Sequence, residues 1–235
     1  MIIGLAQIAP RRADTEGNIE DHVDVILEAG RRGCQLVLFP EMSLTGYETF
    51  AACSLASSLD DSCWERLQGA CDASGVYAAV GAPLSSQEGV QIAQVLLRPG
   101  ATRQIYRKQH LHADELPFFV PGDQALDVQF GEHRLALAIC YESTLERHVD
   151  AALARGATAY LASVAKSEEG IRRASEHYAA LAREHELFVL VSNSVGPSDG
   201  FVSAGSSAAW SPGGELVCRA GAEAQQLLVV ELQAT

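Results

Sequence analysis

A chain of 235 residues, 48% apolar and 20% charged, has ample material for a buried core and needs no disulfide or metal staple to hold one. A formal net charge of −13 with no basic patch to offset it argues against nucleic-acid and anionic-membrane binding. No apolar run reaches transmembrane length.

Met1-Ile-Ile-Gly-Leu-Ala-Gln-Ile8 lacks the basic leader and long apolar core of a signal peptide and reads as a first strand, ended by Pro10. The six cysteines (Cys34, Cys53, Cys63, Cys71, Cys140, Cys218) are scattered without a Cys-x-x-Cys pair. With no export signal, that pattern points to free thiols in a reducing, cytoplasmic setting, and cysteine spacing gives no case for zinc. Apolar residues at Ile19, Val23, Ile26, Leu27 and Ala29 follow at helical spacing, and Gly30 and Gly33 mark the end of that helix. Gln35-Leu-Val-Leu-Phe39 is an apolar strand running into Pro40-Glu41, so a carboxylate stands at a strand's C-terminal end, where ligands gather in open α/β sheets. An exposed loop glutamate is the bland alternative.

A second helix is predicted over about Ser62 to Ser74, and a strand over Val76 to Val80. Two further strands, Gln91 to Leu97 and Ala101 to Lys108, are joined by the Arg98-Pro-Gly100 turn. The second of these ends in Arg107-Lys108, with His110, His112, Asp114 and Glu115 close behind. Two readings compete there: His110, His112 and Glu115 as metal ligands on one face of an extended chain, or Lys108 as the functional group beside ordinary histidines.

After a short strand near Leu126 to Phe130, Arg134 to Ile139 reads as a buried central strand, and the apolar run stops at Cys140. A helical pattern from Leu145 to Arg155 follows. A cysteine at a strand-to-helix turn exposes its sulfur beside backbone N–H groups, which suits a nucleophile, although an isolated cysteine is more often a packing residue. Thr158 to Ser163 is a strand, Glu168 to Glu186 a helix, and Phe188 to Val191 another strand. Gly205 to Trp210, Glu215 to Cys218 and Leu227 to Leu232 complete the strands. With no repeat or linker, residues 1–235 read as a single α/β domain of about ten strands, enough for two packed sheets.

Glu41, Lys108 and Cys140 thus sit at three strand ends. A thiol with a reference pKa of about 8.5 needs a base or a cation beside it, and Glu41 and Lys108 supply those types. There is no glycine-rich phosphate loop.

Phe39-Pro-Glu-Met-Ser-Leu-Thr-Gly-Tyr47, Tyr106-Arg-Lys-Gln-His-Leu111 and Ala138-Ile-Cys-Tyr-Glu142 resemble, in order, the three motifs of the nitrilase, or carbon–nitrogen hydrolase, superfamily. Phe118-Phe-Val-Pro-Gly-Asp123 and Gly205-Ser-Ser-Ala-Ala-Trp-Ser-Pro-Gly-Gly214 match its pattern too, so the resemblance spans nearly the whole chain. It implies a four-layer αββα sandwich that pairs into homodimers, or larger homo-oligomers, through its helical face. It also implies a Glu–Lys–Cys triad that forms a thioester acyl-enzyme on a small amide, with no cofactor and no metal. Carried over, Cys140 is the nucleophile, Glu41 the general base, and Lys108 with the Tyr141 N–H the oxyanion donors. Glu115 matches the family's second glutamate, which holds the lysine and helps position substrate.

The pocket is expected to be small and apolar, lined by Tyr47, Phe119 and Tyr141. The chain departs from many members where Ser143-Thr-Leu-Glu146 lacks an arginine and a proline, and where Val164-Ala165-Lys166 replaces a tryptophan. Lys166 is then either an anion contact or a solvated helix-capping lysine. Without a synthetase or acyltransferase partner domain, the expectation is a stand-alone amidase for a small amide or N-carbamoyl compound. A true nitrilase is the alternative, as is a non-catalytic or thiol-sensing protein on the same fold.

Overall fold

In the computed structural model, which describes residues 1–233, the strands with apolar residues on both faces are those covered on both sides. The first half of the chain forms β1 (Ile2–Gln7), α1 (Thr15–Arg31), β2 (Leu36–Leu38), α2 (Ala52–Leu55), α3 (Cys63–Ser74), β3 (Tyr77–Ser85), β4 (Val90–Arg98) and β5 (Ala101–Arg107). Then come β6 (Asp127–Phe130), β7 (His133–Ile139), a 3-10 turn (Cys140–Thr144), α4 (Glu146–Ala154), β8 (Ala159–Val164), α5 (Glu168–His185) and β9 (Phe188–Asn193). A hairpin of β10 (Val195–Ser198) and β11 (Phe201–Ala204) precedes β12 (Ala208–Trp210), β13 (Leu216–Arg219) and β14 (Gln226–Glu231).

Two six-stranded sheets result, ordered β14-β1-β2-β3-β4-β5 and β13-β12-β9-β8-β7-β6. Strand alternation decides what each side chain meets. Leu36 and Leu38 face the space between the sheets, while Val37 and Phe39 face α1 and α3. In the second sheet Leu135, Leu137 and Ile139 point inward to the same space, and Ala136 and Ala138 point outward beneath α4 and α5. The layers are therefore helices, sheet, sheet, helices: an αββα sandwich. Each leucine buried between the sheets contributes about 1.5–3 kcal/mol, so this doubly covered architecture is strongly specified by its strands. The helices are bounded as their termini require, with Asp14 accepting from the Gly17 N–H at the start of α1 and Ser167 accepting from Gly170 at the start of α5.

The ladders β1–β2–β3 and β7–β8–β9 are parallel. Their C-terminal ends gather the segments that carry Glu41, Cys140, Lys166 and Asn193 on one side of the sandwich.

Several elements differ from the sequence expectation. β3 continues five residues beyond Val80, through Gly81 and Pro83, which look like terminators. β2 pairs with β3 only as far as Ala79, so Pro83 lies where that ladder has already ended. The strand expected from Gly205 begins at Ala208, and the β10–β11 hairpin before it was not foreseen, since Val195-Gly-Pro-Ser198 has weak strand propensity. The helix expected from Leu145 begins at Glu146, behind the 3-10 turn that Cys140 opens.

Candidate active site

Glu41 stands just past β2, on a turn that packs directly on the backbone of β3. A Cβ on Gly81 would lie 2.2 Å from the Pro40 carbonyl oxygen and 2.6 Å from the Met42 nitrogen, so only glycine lets the turn approach. The Leu44 N–H donates to the Gly81 carbonyl at 2.9 Å and ties the turn down. Lys108 follows β5, its N–H bonded to the Ile92 carbonyl at 2.9 Å and its own carbonyl accepting from Gly122 at 2.8 Å. Cys140 opens the 3-10 turn with φ = +49°, a left-handed conformation that a side-chain-bearing residue adopts only when its surroundings enforce it.

These segments converge. The Lys108 ammonium donates to Glu41 Oε1 at 2.7 Å and to Glu115 Oε1 at 2.6 Å, and all three side chains are essentially inaccessible to water. Glu115 Oε1 also accepts from the Tyr47 hydroxyl at 3.0 Å, and its Oε2 accepts from the His112 N–H at 2.8 Å. Glu115 is thus fully engaged, whereas Glu41 Oε2 has no hydrogen-bond partner and is the oxygen left for the neighbouring Cys140 thiol. Burial raises the Glu41 carboxyl above its ordinary range, with Lys108 pulling the other way and Glu115 adding to the rise. Burial likewise pushes the Cys140 thiol up to about 11, helped by the Glu41 charge and opposed by Lys166 and Lys108. Lys108 is held above the ordinary lysine value: burial works against its charge, and Glu41, Cys140 and Glu115 outweigh it.

The sulfur opens on a cavity of about 270 Å³ whose wall includes Tyr47, Glu115, Tyr141, Lys166 and Phe201. A larger cleft of about 740 Å³ along α5 and the β10–β11 hairpin contains none of these groups. Phe119, expected on the cavity wall, is instead packed in the core between the sheets at 4% exposure. Its N–H and that of Phe118 both bond the Glu115 carbonyl at 3.0 Å, and this tight turn carries the Phe119 ring inward. Phe201, on a hairpin the strand pattern did not signal, takes a place on the wall.

The metal reading of His110, His112 and Glu115 finds no common centre. Glu115 is spent on Lys108 and Tyr47, His112 Nδ1 lies 2.5 Å from Asp114, and the His110 ring packs near His148. Among the described residues no group of three or more His, Cys, Asp or Glu side chains is placed to hold a metal ion.

Glu142 carries a weight that its place in the motif did not reveal. Its Oε1 accepts from the Ile139 N–H at 2.8 Å and the Tyr106 hydroxyl at 2.5 Å. Its Oε2 accepts from the Gln109 and His110 N–H groups at 2.7 and 3.1 Å. One buried carboxylate therefore ties the residue after Lys108 to the residue before Cys140. Burial pushes its pKa up to about 7 in spite of these donors.

Chemically, a thiol beside an unengaged carboxylate oxygen and an ammonium clamped by two carboxylates is equipped to attack an electron-poor carbon and to stabilise the negative oxygen that forms. A family model described as carbon-nitrogen hydrolase matches residues 2–235. The chain belongs to the carbon–nitrogen hydrolase family.

Among curated members, an (R)-stereoselective amidase from a Pseudomonas species is 30% identical over 94% of this chain and 81% of its own length. A protein from Pyrococcus abyssi named as a nitrilase is 24% identical over 98% of this chain and 88% of its length. The glutamine-dependent NAD(+) synthetase of Thermotoga maritima matches 98% of this chain at 25% identity, but only 42% of that longer protein. Among solved structures, the NitN amidase of Nesterenkonia sp. AN1 superposes with a TM-score of 0.91 at 29% identity, covering 99% of this chain and 93% of that one. A glutamate-to-glutamine variant of that amidase shows acrylamide added at its active-site cysteine.

No helix among the described residues of this hydrolase is long and apolar enough to cross a membrane.

Proposed function

We propose that this carbon–nitrogen hydrolase is an amidase acting on a small amide or N-carbamoyl compound through a thioester on Cys140. The observation that carries the reading is the ion cluster: Lys108 bridges Glu41 and Glu115 at 2.7 and 2.6 Å, leaving Glu41 Oε2 open beside the sulfur. Glu41 takes the thiol proton as the sulfur bonds to the carbonyl carbon, and the carbonyl electrons move onto oxygen. Lys108 and the Tyr141 N–H meet that oxyanion. Collapse of the adduct breaks the carbon–nitrogen bond, and Glu41 returns its proton to the departing ammonia or amine. Water, deprotonated by Glu41, then attacks the thioester and releases the acid and the thiol. A carboxylate raised by burial is suited to both directions of this transfer. Glu115 holds the ammonium in line, and Tyr47 holds Glu115. The similarity to amidases from Pseudomonas and Nesterenkonia supports an amide in preference to a nitrile.

The enzyme reads as one domain that works as a homodimer in the cytoplasm, and size-exclusion chromatography with light scattering tests the first part of that assembly. The function is tested by ammonia release from a panel of small amides, N-carbamoyl compounds and nitriles, with Cys140→Ala as control. Turnover of amides that the variant abolishes is the expected result. Turnover of nitriles alone makes the protein a nitrilase. Absence of both turnover and a mass adduct on Cys140 with every compound defeats the reading.

A further inference from the structure

Lys166 follows β8, and its backbone is bolted in place by one side chain. Its N–H donates to Asn193 Oδ1 at 2.8 Å, and its carbonyl accepts from Asn193 Nδ2 at 3.1 Å and from the Ala204 N–H at 3.0 Å. Asn193 is itself fully buried at the end of β9, where its amide also donates to the Gly205 carbonyl at 2.6 Å. An amide that brackets both backbone groups of a residue fixes the direction in which that residue's side chain departs. Here the direction leads to the cavity, where Lys166 forms wall beside Cys140 and Tyr141. The helix-capping role open to it in sequence belongs to Ser167.

What Lys166 lacks is an anion. No carboxylate among the described residues lies within 4.0 Å of its ammonium, and the ammonium makes no hydrogen bond to them. Glu41 and Glu115 are both claimed by Lys108. The Cys140 thiol cannot serve at rest, since burial and Glu41 push its pKa up to about 11 and leave it neutral at physiological pH. The neighbouring Tyr178 hydroxyl is raised by burial and is neutral too. Burial works against the Lys166 charge, but Cys140, Tyr178 and Glu41 together hold its pKa above the ordinary lysine value, so the ammonium stays charged. With no carboxylate among the described residues bonded to it, it is free to pair with an anion that enters the cavity.

We propose that Lys166 is a specificity-determining anion contact, so that the preferred amide carries a carboxylate a few bonds from the carbon that Cys140 attacks. The inference rests on the hydrolase reading and deepens it to a substrate class. The cavity, at about 270 Å³, falls at or below the usual range for ligand sites of about 300–1,000 Å³. A small molecule therefore has its reacting carbon at the sulfur and its far end within reach of the same wall.

The test compares succinamate with 4-methylpentanamide, in which a branched alkyl group replaces the carboxylate at the same size. The readout is the ratio of kcat/KM values for the two. Wild type should prefer succinamate, and Lys166→Met should lower the ratio about 10- to 100-fold, the weight of one hydrogen-bonded charge contact, mainly through KM. Lys166→Arg should restore a large part of it. A ratio unchanged in Lys166→Met overturns the proposal. So does an equal loss on both substrates, which would place the ammonium's action on the sulfur or the oxyanion. Calorimetric binding of succinamate to Cys140→Ala, and its loss in Cys140→Ala/Lys166→Met, decides the anion contact without any turnover. No binding to Cys140→Ala sinks the proposal while leaving the hydrolase reading to its own amide panel.

Discussion

Replacing Glu41 by glutamine separates the geometry of the site from its proton chemistry. The amide oxygen can still accept from Lys108 at the 2.7 Å position of Oε1, and Glu115 holds the ammonium from the other side at 2.6 Å. What disappears is the base and its charge. A thiol whose pKa stands at about 11 is ionised at pH 7 in only about one molecule in 10⁴, so in the proposed mechanism the sulfur depends on Glu41 to remove its proton as it attacks. A positioned general base contributes about 10²- to 10⁴-fold, equivalent to about 3–5 kcal/mol of barrier. Glu41→Gln should therefore lower kcat/KM for ammonia release by that factor while leaving the fold intact by circular dichroism.

A second readout follows from the same electrostatics. After burial, the Glu41 charge is the largest influence raising the thiol, so its removal should move the inflection for iodoacetamide alkylation of Cys140 below pH 11. Activity within tenfold of wild type would refute Glu41 as the base. An inflection that rises would refute the electrostatic account.

Three further outcomes are expected. Gly81→Ala inserts a Cβ 2.2 Å from the Pro40 carbonyl and must shift the Glu41 turn; a displacement of about 1 Å costs on the order of 10²-fold in kcat/KM, so wild-type kinetics in a folded variant would contradict it. Glu142→Ala strips the acceptor from the Ile139, Gln109 and His110 N–H groups and the Tyr106 hydroxyl. At about 1–3 kcal/mol per unsatisfied buried donor, a loss of at least about 2 kcal/mol and a Tm lower by roughly 4–8 °C should accompany lost activity; an unchanged Tm in a thermal melt would count against the tether.

His22 is fully buried and stacked on Phe39, its Nδ1 facing the Asn18 carbonyl and its Nε2 the Ser43 hydroxyl, and burial lowers its pKa from 6.5 to about 4. A depressed histidine contributes stability that is complete above pH 6.5 and lost as pH falls towards 4, here about 3 kcal/mol. Urea midpoints should fall across that window, and His22→Gln should flatten the slope. An equal slope in the variant would assign the acid sensitivity elsewhere. Glu142 works in the opposite sense between its ordinary carboxyl range and its folded value of about 7, where its protonation stabilises the native state as pH falls. The His22 variant isolates one contribution from the other.

Most of the sandwich was legible because doubly buried strands write themselves as continuous apolar runs, as in Leu36 to Phe39 and Leu135 to Ile139. The ends of those two runs carry Glu41 and Cys140, since a reactive side chain at a strand end breaks an apolar pattern, whereas Lys108 follows β5, whose residues are mostly polar and at least partly exposed. Elements that carry little apolar signal were lost: α2 is four residues long, and the β10–β11 hairpin has glycine and proline in its first strand. Phe119 was misplaced because sequence gives a ring's hydrophobicity and not the direction in which its turn carries it.

Local chemistry, then, lies in the sequence: which apolar runs are strands and which residues can ionise. Distance does not. Glu41 and Lys108 are 67 positions apart along the chain, and Cys140 follows β7, a strand of the opposite sheet. Only the packing of one sheet on the other brings their ends together, excludes water from the ammonium and its two carboxylates, and raises the thiol. The clamp of Asn193 on Lys166 joins the ends of two parallel strands, so the direction of that cation belongs to the tertiary structure alone.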